Sequence, residues 1–222
     1  MHRNLAQPVT ENEKGQLVIE NDWYPKPLPS NIFLDEMAYP DTAYSFASFY
    51  SVKPVGFSMG FASGNYGHGT FSTGKDGEIH IGKYVVLQCT RIIANKSVTI
   101  KDHCMFSWGV VITDSWVNPE TYSPSARRRM LEKMNGSPNR HLEFIHPNPV
   151  VIEENVWVGF ESMILPGVKI GRGAVIGCKT LITTDVPEYA VIVGNPSRII
   201  RFLEPGDTKE IKEKALGLFM KS

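Results

Sequence analysis

The chain has 222 residues, and its 23 Lys and Arg residues are matched by 23 Asp and Glu residues. Without a net field of either sign, we expect neither nucleic acid nor an anionic membrane surface to be its main partner. No apolar stretch approaches the ~20 residues of a spanning helix, which predicts no membrane insertion. The three cysteines lie in apolar runs with no apolar leader before them, so we expect reduced core residues in a cytoplasmic protein.

The first 29 residues are polar and punctuated by prolines, which predicts an N-terminal arm outside the core (residues 1–29). A main domain is expected over residues 30–203. Its first clear repeat has aliphatic or aromatic residues six apart, at Ile81, Leu87 and Ile93 and again at Ile100, Phe106 and Ile112. The one extra residue between Ile93 and Ile100 predicts a bulge or an adjusted turn there.

Residues from about 115 to 148 carry no six-residue period. A segment of this length inside a compact repeat usually serves as a lid or a binding loop. Within this excursion, Ser125 to Met134 is predicted to form a short helix.

The strongest pattern follows the excursion. Aliphatic residues recur at strict six-residue spacing, at Ile152, Val158, Ile164, Ile170, Ile176 and Ile182. Four residues after each of them stands a small or β-branched residue, at Val156, Ser162, Val168, Ala174, Thr180 and Val186. Neither the 3.6-residue period of a helix nor the two-residue period of a strand explains this spacing. A short strand followed by a sharp turn does, and such units stack into a β-helix. Residues 204–222 are predicted to end the chain as a helix capped by Asp207 or Thr208.

Three segments resemble the hexapeptide-repeat O-acyltransferases, a family that includes galactoside, maltose and streptogramin acetyltransferases and polysaccharide-modifying enzymes. They are Asn155-Val156-Trp157-Val158-Gly159, Ile164-Leu165-Pro166-Gly167-Val168-Lys169-Ile170-Gly171 and Val193-Gly194-Asn195-Pro196-Ser197-Arg198. The resemblance covers roughly residues 79–203 without most of the excursion. It implies an all-β fold, a left-handed parallel β-helix, assembly as a homotrimer, and acetyl-CoA or another acyl-CoA bound between neighbouring subunits as co-substrate.

The resemblance also implies positions for the acyl-CoA. Phe160, Cys178, Thr183 and Thr184 would line the pantetheine groove, beside Gly159. Arg198 and Arg201 would reach the nucleotide phosphates, because guanidinium groups bind phosphate through paired hydrogen bonds. Trp157 would contact either the CoA or a neighbouring subunit. The family often has a small residue at Phe160 and a lysine at Thr184, so the pantetheine contacts of this chain are expected to differ.

Acyl transfer to a hydroxyl or amine requires a base for the acceptor's proton. Similar acyltransferases place a histidine before a proline at the position where this chain has Asn118-Pro119. Asparagine cannot take up and return a proton, so the usual base is absent there. His146, which also precedes a proline and ends the excursion, is the substitute we consider, with a locally hydrogen-bonded loop histidine as the alternative. Asp114 is expected either to orient a base or bind a sugar hydroxyl, or to cap a turn.

Two hypotheses remain open from the sequence. The first is an acyl-CoA-dependent acyltransferase that acts on a sugar, a nucleotide-sugar or a polysaccharide precursor. The second is a catalytically inactive trimeric β-helix that serves as a scaffold or binds acyl-CoA or sugar. The histidine spacing does not favour a zinc site of the carbonic anhydrase type, and no metal is expected.

Overall fold

The computed structural model describes residues 9–117, 123–136 and 144–205, and three parallel sheets wrap around one narrow core in it. Each turn of the chain adds one short strand to each sheet in succession. Sheet 1 contains β3 (Ile32–Leu34), β4 (Phe57–Met59), β7 (Glu78–Ile81), β10 (Ser97–Ile100), β15 (Val150–Ile152) and β18 (Lys169–Ile170). Sheet 2 contains β5 (Gly64–Tyr66), β8 (Val86–Gln88), β11 (Met105–Phe106), β16 (Trp157–Val158), β19 (Val175–Ile176), β21 (Ala190–Val193) and β22 (Arg198–Phe202). Sheet 3 contains β6 (Thr70–Thr73), β9 (Arg91–Ala94), β12 (Val111–Thr113), β17 (Met163–Ile164) and β20 (Leu181–Ile182).

The six-residue pattern places one aliphatic side chain per strand in the core. Val158 pairs with Ile176 and Ile164 pairs with Ile182 in parallel register, so like residues stack on one another. All six repeated aliphatics, from Ile152 to Ile182, are fully buried. The small residues four positions later are buried too, at Val156, Ser162, Val168, Ala174, Thr180 and Val186. Burying one such aliphatic side chain contributes roughly 1.5–3 kcal/mol to the stability of the fold. The β-helix predicted from the repeat is confirmed.

The repeat shifts by one residue earlier than the sequence indicated. Ile92 is fully buried and pairs with Ile112, whereas Ile93 is only half-buried and pairs with Thr113. The prediction that Ile93 fills the core was therefore wrong. The turn between Leu87 and Ile92 is one residue shorter than its neighbours, and this moves the inward position forward by one.

Residues before 30 are more than an arm. β1 (Val9–Glu11) and β2 (Leu17–Ile19) form an antiparallel hairpin, and Ile19 and Leu28 are buried in the same core as the β-helix. This end of the core is aromatic, with Phe57 packed between Phe46 and Phe71 at centroid distances of 5.0 and 4.7 Å. Phe46 belongs to a short 3-10 helix, Ala43–Phe46.

The excursion begins and ends as a second antiparallel pair, β13 (Trp116–Val117) with β14 (Phe144–Ile145). The predicted helix is confirmed as α1 (Pro124–Asn135), and the Ser123 hydroxyl caps its first turn. At the other end of the chain, β22 turns back antiparallel to β21. Most of the predicted C-terminal helix, residues 206–222, lies outside the described residues. Within the described ranges, no helix has the length and apolar character needed to span a membrane.

Candidate functional site

Several of the predicted site residues fall on two corners of the β-helix, on either side of sheet 3. We name the turns between sheets 2 and 3 the 2–3 corner, which contains His68, Cys89, Trp108, Phe160 and Cys178. The turns between sheets 3 and 1 form the 3–1 corner, which contains Asp114, Thr183 and Thr184. Because strands in register repeat every ~4.8 Å, residues at equivalent turn positions form rows along each corner.

Phe160 lies in the middle of the row at the 2–3 corner. Its ring stacks on Trp108 of the preceding coil at 5.1 Å between centroids and 10° between planes. Both rings are about half exposed, and Cys178, also exposed, occupies the equivalent position in the next coil. The corner therefore presents an exposed apolar surface, which we name the ledge and which consists of Trp108, Phe160 and Cys178. Trp108 was not among the residues predicted from the sequence. Its position two residues after the core residue Phe106, as Phe160 is after Val158, was the available signal.

Gly159 allows the coils at this corner to stack closely. A Cβ atom on Gly159 would lie 2.8 Å from the backbone nitrogen of Cys178, closer than real Cβ contacts allow. Trp157 projects from the outer face of sheet 2, where it pairs with Met105 on one side and Val175 on the other. Its side chain is 42% exposed. Sheet 2 thus carries an exposed apolar stripe beside the ledge.

Asp114 begins the 3–1 corner and is completely buried. Its carboxylate accepts hydrogen bonds from the backbone nitrogens of Asn95, at 2.9 Å, and Lys96, at 2.7 Å, and from the Ser115 hydroxyl. Its carbonyl accepts a hydrogen bond from Asn148 at 2.7 Å. These contacts correspond to the turn-capping alternative, because the carboxylate has no surface left for a substrate.

His146 lies at the base of the excursion, beside this capped turn. It follows Ile145, which pairs with Trp116, and its exposed side chain stands on a left-handed backbone with φ of 47°. Twelve other non-glycine residues of the described chain share this left-handed conformation. Asn118, the residue at the family's histidine position, lies outside the described residues.

The four predicted pantetheine residues do not come together within one chain. Thr183 and Thr184 follow Ile182 at the 3–1 corner, whereas Phe160 and Cys178 precede the strands of sheet 3 at the 2–3 corner. All four side chains are exposed. Thr184 shares its corner with Asp114, two coils away in the stack of Ile112, Ile164 and Ile182.

Arg198 and Arg201 lie on β22, at the edge of sheet 2. They pair with Val193 and Val191, and both are exposed. The strand order β22, β21, β19, β16 places Arg201 three strand spacings, about 14 Å, from Trp157. The two arginines therefore lie on sheet 2, the sheet that leads into the 2–3 corner bearing the ledge.

The three cysteines differ from the sequence expectation. Only Cys104 is buried, and burial raises the pKa of its thiol to about 11. Cys89 and Cys178 are exposed at the 2–3 corner, so the interpretation of all three as core residues was wrong. Among the described side chains, no group of three His, Cys, Asp or Glu residues is arranged to hold a metal ion.

Comparison with known proteins bears on both the repeat and the fold. Residues 149–184 match the family described as bacterial transferase hexapeptide (six repeats). A galactoside O-acetyltransferase of Lactococcus lactis subsp. lactis (strain IL1403) is 32% identical over 136 residues, 61% of this chain and 58% of that protein. A chloramphenicol acetyltransferase of Klebsiella aerogenes is 53% identical over 51 residues, 23% of this chain and 24% of that protein.

Two solved structures share the architecture. One is a hexapeptide-repeat-containing acetyltransferase from Vibrio cholerae O1 biovar eltor, complexed with acetyl coenzyme A. It is 25% identical with a TM-score of 0.51, and the match covers 72% of this chain and 74% of that one. The other is AntD, an N-acyltransferase from Bacillus cereus in complex with dTDP and coenzyme A, which is 16% identical with a TM-score of 0.55 over 86% of this chain and 92% of that one. The likeness to AntD shows the fold alone.

The chain spans between about a quarter and three fifths of the length of these curated relatives. The likenesses confirm the left-handed parallel β-helix that the motifs implied. By its repeat over residues 149–184 and by its fold, the chain is similar to the hexapeptide-repeat acyltransferases, as its sequence motifs predicted.

Proposed function

We propose that the protein is an acyl-CoA-dependent acyltransferase whose acceptor is a sugar, a nucleotide-sugar or a polysaccharide precursor. In this reaction the acceptor's hydroxyl or amine attacks the thioester carbonyl, a base takes its proton, and the carbon–sulfur bond breaks to release CoA. One observation carries the proposal. An apolar surface, the ledge of Trp108, Phe160 and Cys178, occurs together with an edge strand that bears two exposed arginines, Arg198 and Arg201, and we call this combination the row.

The chemistry of this row matches the two ends of acyl-CoA. The pantetheine arm is extended and partly apolar, and it can lie along stacked half-exposed rings while its amides meet outward backbone groups. The nucleotide end carries phosphates, which exposed arginines bind through charge-assisted hydrogen bonds. Arg198 and Arg201 have no acidic partner among the ion pairs of the described residues, so their guanidinium groups remain available.

A trimer explains the division of the predicted pantetheine residues between two corners. One acyl-CoA lined by Phe160 and Cys178 and also by Thr183 and Thr184 must lie between two chains, because sheet 3 separates these pairs within one chain. In a cyclic trimer the 2–3 corner of one subunit faces the 3–1 corner of the next, and each interface holds one complete groove. The exposed stripe of Met105 and Trp157 on sheet 2 supplies apolar surface for the contact.

The base in this proposal is His146. It lies at the base of the excursion next to the 3–1 corner, and it would enter the groove between subunits from the side opposite the ledge. Asp114 acts through the backbone: its buried carboxylate fixes the turn from which the excursion departs. It is a positioning residue and does not touch substrate.

Calorimetric titration with acetyl-CoA and with CoA tests the proposal. Arg198→Ala removes one charge-assisted contact, worth roughly 1.5–3 kcal/mol, and is expected to weaken CoA binding roughly 10- to 150-fold. Arg172→Ala is the matched control, since Arg172 is equally exposed but lies at the remaining corner. Unweakened binding by Arg198→Ala would contradict the placement of the phosphates, and absence of CoA binding by the wild type would contradict the acyltransferase function.

The inactive scaffold is the second candidate, and Asn118 is the observation that favours it. Transfer and slow hydrolysis of acetyl-CoA, followed by release of the free thiol, separate the two functions. An active wild type that loses turnover in His146→Gln, with CoA affinity retained, supports the enzyme. If the wild type binds CoA without turnover and the Asn118→His variant releases thiol, the results support the inactive binding protein.

A further inference from the structure

An exposed aromatic cluster lies at the N-terminal end of the 2–3 corner, away from the residues assigned above. Trp23 is 62% exposed, and its ring contacts Tyr44 at 5.3 Å and His68 at 6.3 Å between centroids. Tyr24 packs edge-on against Tyr44 at 5.4 Å. Tyr24 is partly buried and packs against the core, whereas Trp23 and Tyr44 are exposed and contact each other, which forms a surface suited to a ligand.

The segment that carries Trp23 is held in place by a carboxylate. Asp22 accepts hydrogen bonds from the Thr42 hydroxyl at 2.8 Å, the Ala43 nitrogen at 2.6 Å and the Tyr24 nitrogen at 3.1 Å. These bonds fasten residues 22–24 to the start of the 3-10 helix that bears Tyr44. The aromatic rings therefore stand on a fixed backbone, which lowers the entropy that binding must overcome.

The histidine of the cluster is positioned by a second carboxylate. Asp41 accepts a hydrogen bond from the backbone nitrogen of His68 at 3.0 Å, and its Oδ2 atom lies 3.4 Å from Nδ1 of the His68 ring. The other oxygen of Asp41 accepts from the Tyr39 hydroxyl at 3.2 Å. With Nδ1 directed at the carboxylate, the Nε2 atom is the ring atom left to meet a ligand.

The backbone at His68 is fixed by its neighbours. His68 and Asp41 both have left-handed φ values, 64° and 63°, as do eleven other non-glycine residues of the described chain. The buried Asn65 side chain donates to the Ser45 hydroxyl and to the Gly69 carbonyl, both at 3.1 Å, and so ties the His68 turn to the 3-10 helix. Left-handed backbone at a non-glycine residue is held by its surroundings, and the Asn65 hydrogen bonds supply that support here.

Two other described histidines, His80 and His103, do not share this arrangement. Both ring nitrogens of His80 are engaged, Nδ1 with the Ser58 hydroxyl at 2.9 Å and Nε2 with Glu78 at 3.4 Å. The ring of His103 is stacked on Tyr84 at 5.1 Å. His68 alone among these three combines a carboxylate at one ring nitrogen with a 63% exposed side chain beside aromatic rings.

We propose that Trp23, Tyr44 and His68, held by Asp22 and Asp41, form a subsite that binds a pyranose sugar. The apolar C–H face of the sugar packs on the exposed rings, and its hydroxyls hydrogen-bond to His68 Nε2 and to the Asp41 carboxylate. Small-molecule sites commonly combine aromatic rings with a small number of polar groups. The identification of the sugar as the acyl acceptor rests on the proposed function, because His68 is two coils, about 10 Å, from Trp108 on the same corner as the ledge.

Titration of the full chain with methyl β-D-galactopyranoside and methyl α-D-glucopyranoside tests this subsite, with CoA titrated in parallel. We expect at least one pyranoside to bind, and Trp23→Ala and His68→Asn each to weaken it by roughly tenfold or more. Asparagine tolerates the left-handed backbone, so His68→Asn removes the imidazole with little strain. Tyr50→Ala, at an aromatic residue that is also 62% exposed but lies outside the cluster, is the matched control.

Each outcome separates the two proposals. Pyranoside binding that depends on Trp23 but is accompanied by no CoA binding supports the subsite and contradicts the acyltransferase. If CoA binds and neither pyranoside does, the subsite is overturned and the proposed function stands. The same holds if CoA binds and the pyranoside binds to Trp23→Ala as tightly as to the wild type. If Trp23→Ala changes the mass measured by light scattering, the cluster is a contact between subunits and the subsite is overturned.

Discussion

Replacement of Asp114 tests whether this carboxylate supports the fold or the reaction. Asp114→Ala removes a fully buried carboxylate and leaves the part-buried backbone N–H groups of Asn95 and Lys96 without their acceptor. Losing such a hydrogen bond to a charged acceptor costs about 1–3 kcal/mol, so the free energy of unfolding is expected to fall by roughly 2–6 kcal/mol. Whole-protein stabilities are roughly 5–15 kcal/mol, so this is a large share, and a lowering of the melting temperature on the order of 10 °C follows.

Asp185→Ala is the matched control for this experiment. Asp185 also accepts a backbone hydrogen bond, from Lys169 at 2.8 Å, but it is exposed, and water can replace it. We expect its loss to cost no more than about 1 kcal/mol. Urea unfolding followed by circular dichroism, at one protein concentration, measures both variants. An Asp114→Ala protein as stable as the wild type but without acyl transfer would refute the structural role and return Asp114 to the chemistry.

Three further predictions concern the core, the assembly and the cysteines. Ile176→Asp is expected to prevent folding, because the charge would lie unpaired between stacked coils. The control Ile176→Val should still yield a protein with a cooperative melt. A folded Ile176→Asp protein would mean that the repeat register is misassigned. Light scattering should give the mass of a trimer, and a monomer at micromolar concentration would contradict the shared groove. Iodoacetamide at pH 8 should label Cys89 and Cys178 but leave Cys104 unmodified until the chain is denatured. The Cys104 thiol is buried and has a pKa of about 11, so it stays protonated at this pH. Mass spectrometry of the labelled peptides identifies the sites.

A pH dependence is expected from Glu153. Its carboxylate bridges Lys101 at 2.6 Å and Lys169 at 3.3 Å, and the hydrogen bond from Lys101, then that from Lys169, lowers its pKa below 4.5. A carboxyl whose pKa is lowered on folding stabilises the protein above its unfolded pKa and loses that contribution as the pH falls. Stability of the wild type should therefore decline more steeply below pH 4.5 than that of Glu153→Gln. Parallel acid melts of the two proteins would contradict this contribution.

The repeat and the fold could be derived from the sequence because the β-helix is a local structure. Each coil contacts only its neighbours, so a six-residue spacing of aliphatics such as Ile164, Ile170 and Ile176 determines both the strand and its place in the stack. The α1 helix was likewise predictable from its own residues and its Ser123 cap. Where one residue was missing from a turn, the same local logic assigned Ile93 to the core in place of Ile92.

What the sequence could not determine depends on which turns stack on one another. The ledge of Trp108 and Phe160 joins residues 52 positions apart, and the cluster of Trp23, Tyr44 and His68 joins three separate segments. The burial of Asp114 and the exposure of Cys178 are also properties of the assembled corners, because the residue types at the corner turns do not repeat from coil to coil as the inward aliphatics do. Sequence periodicity specifies which side chains point inward, while only the tertiary structure decides which outward side chains meet.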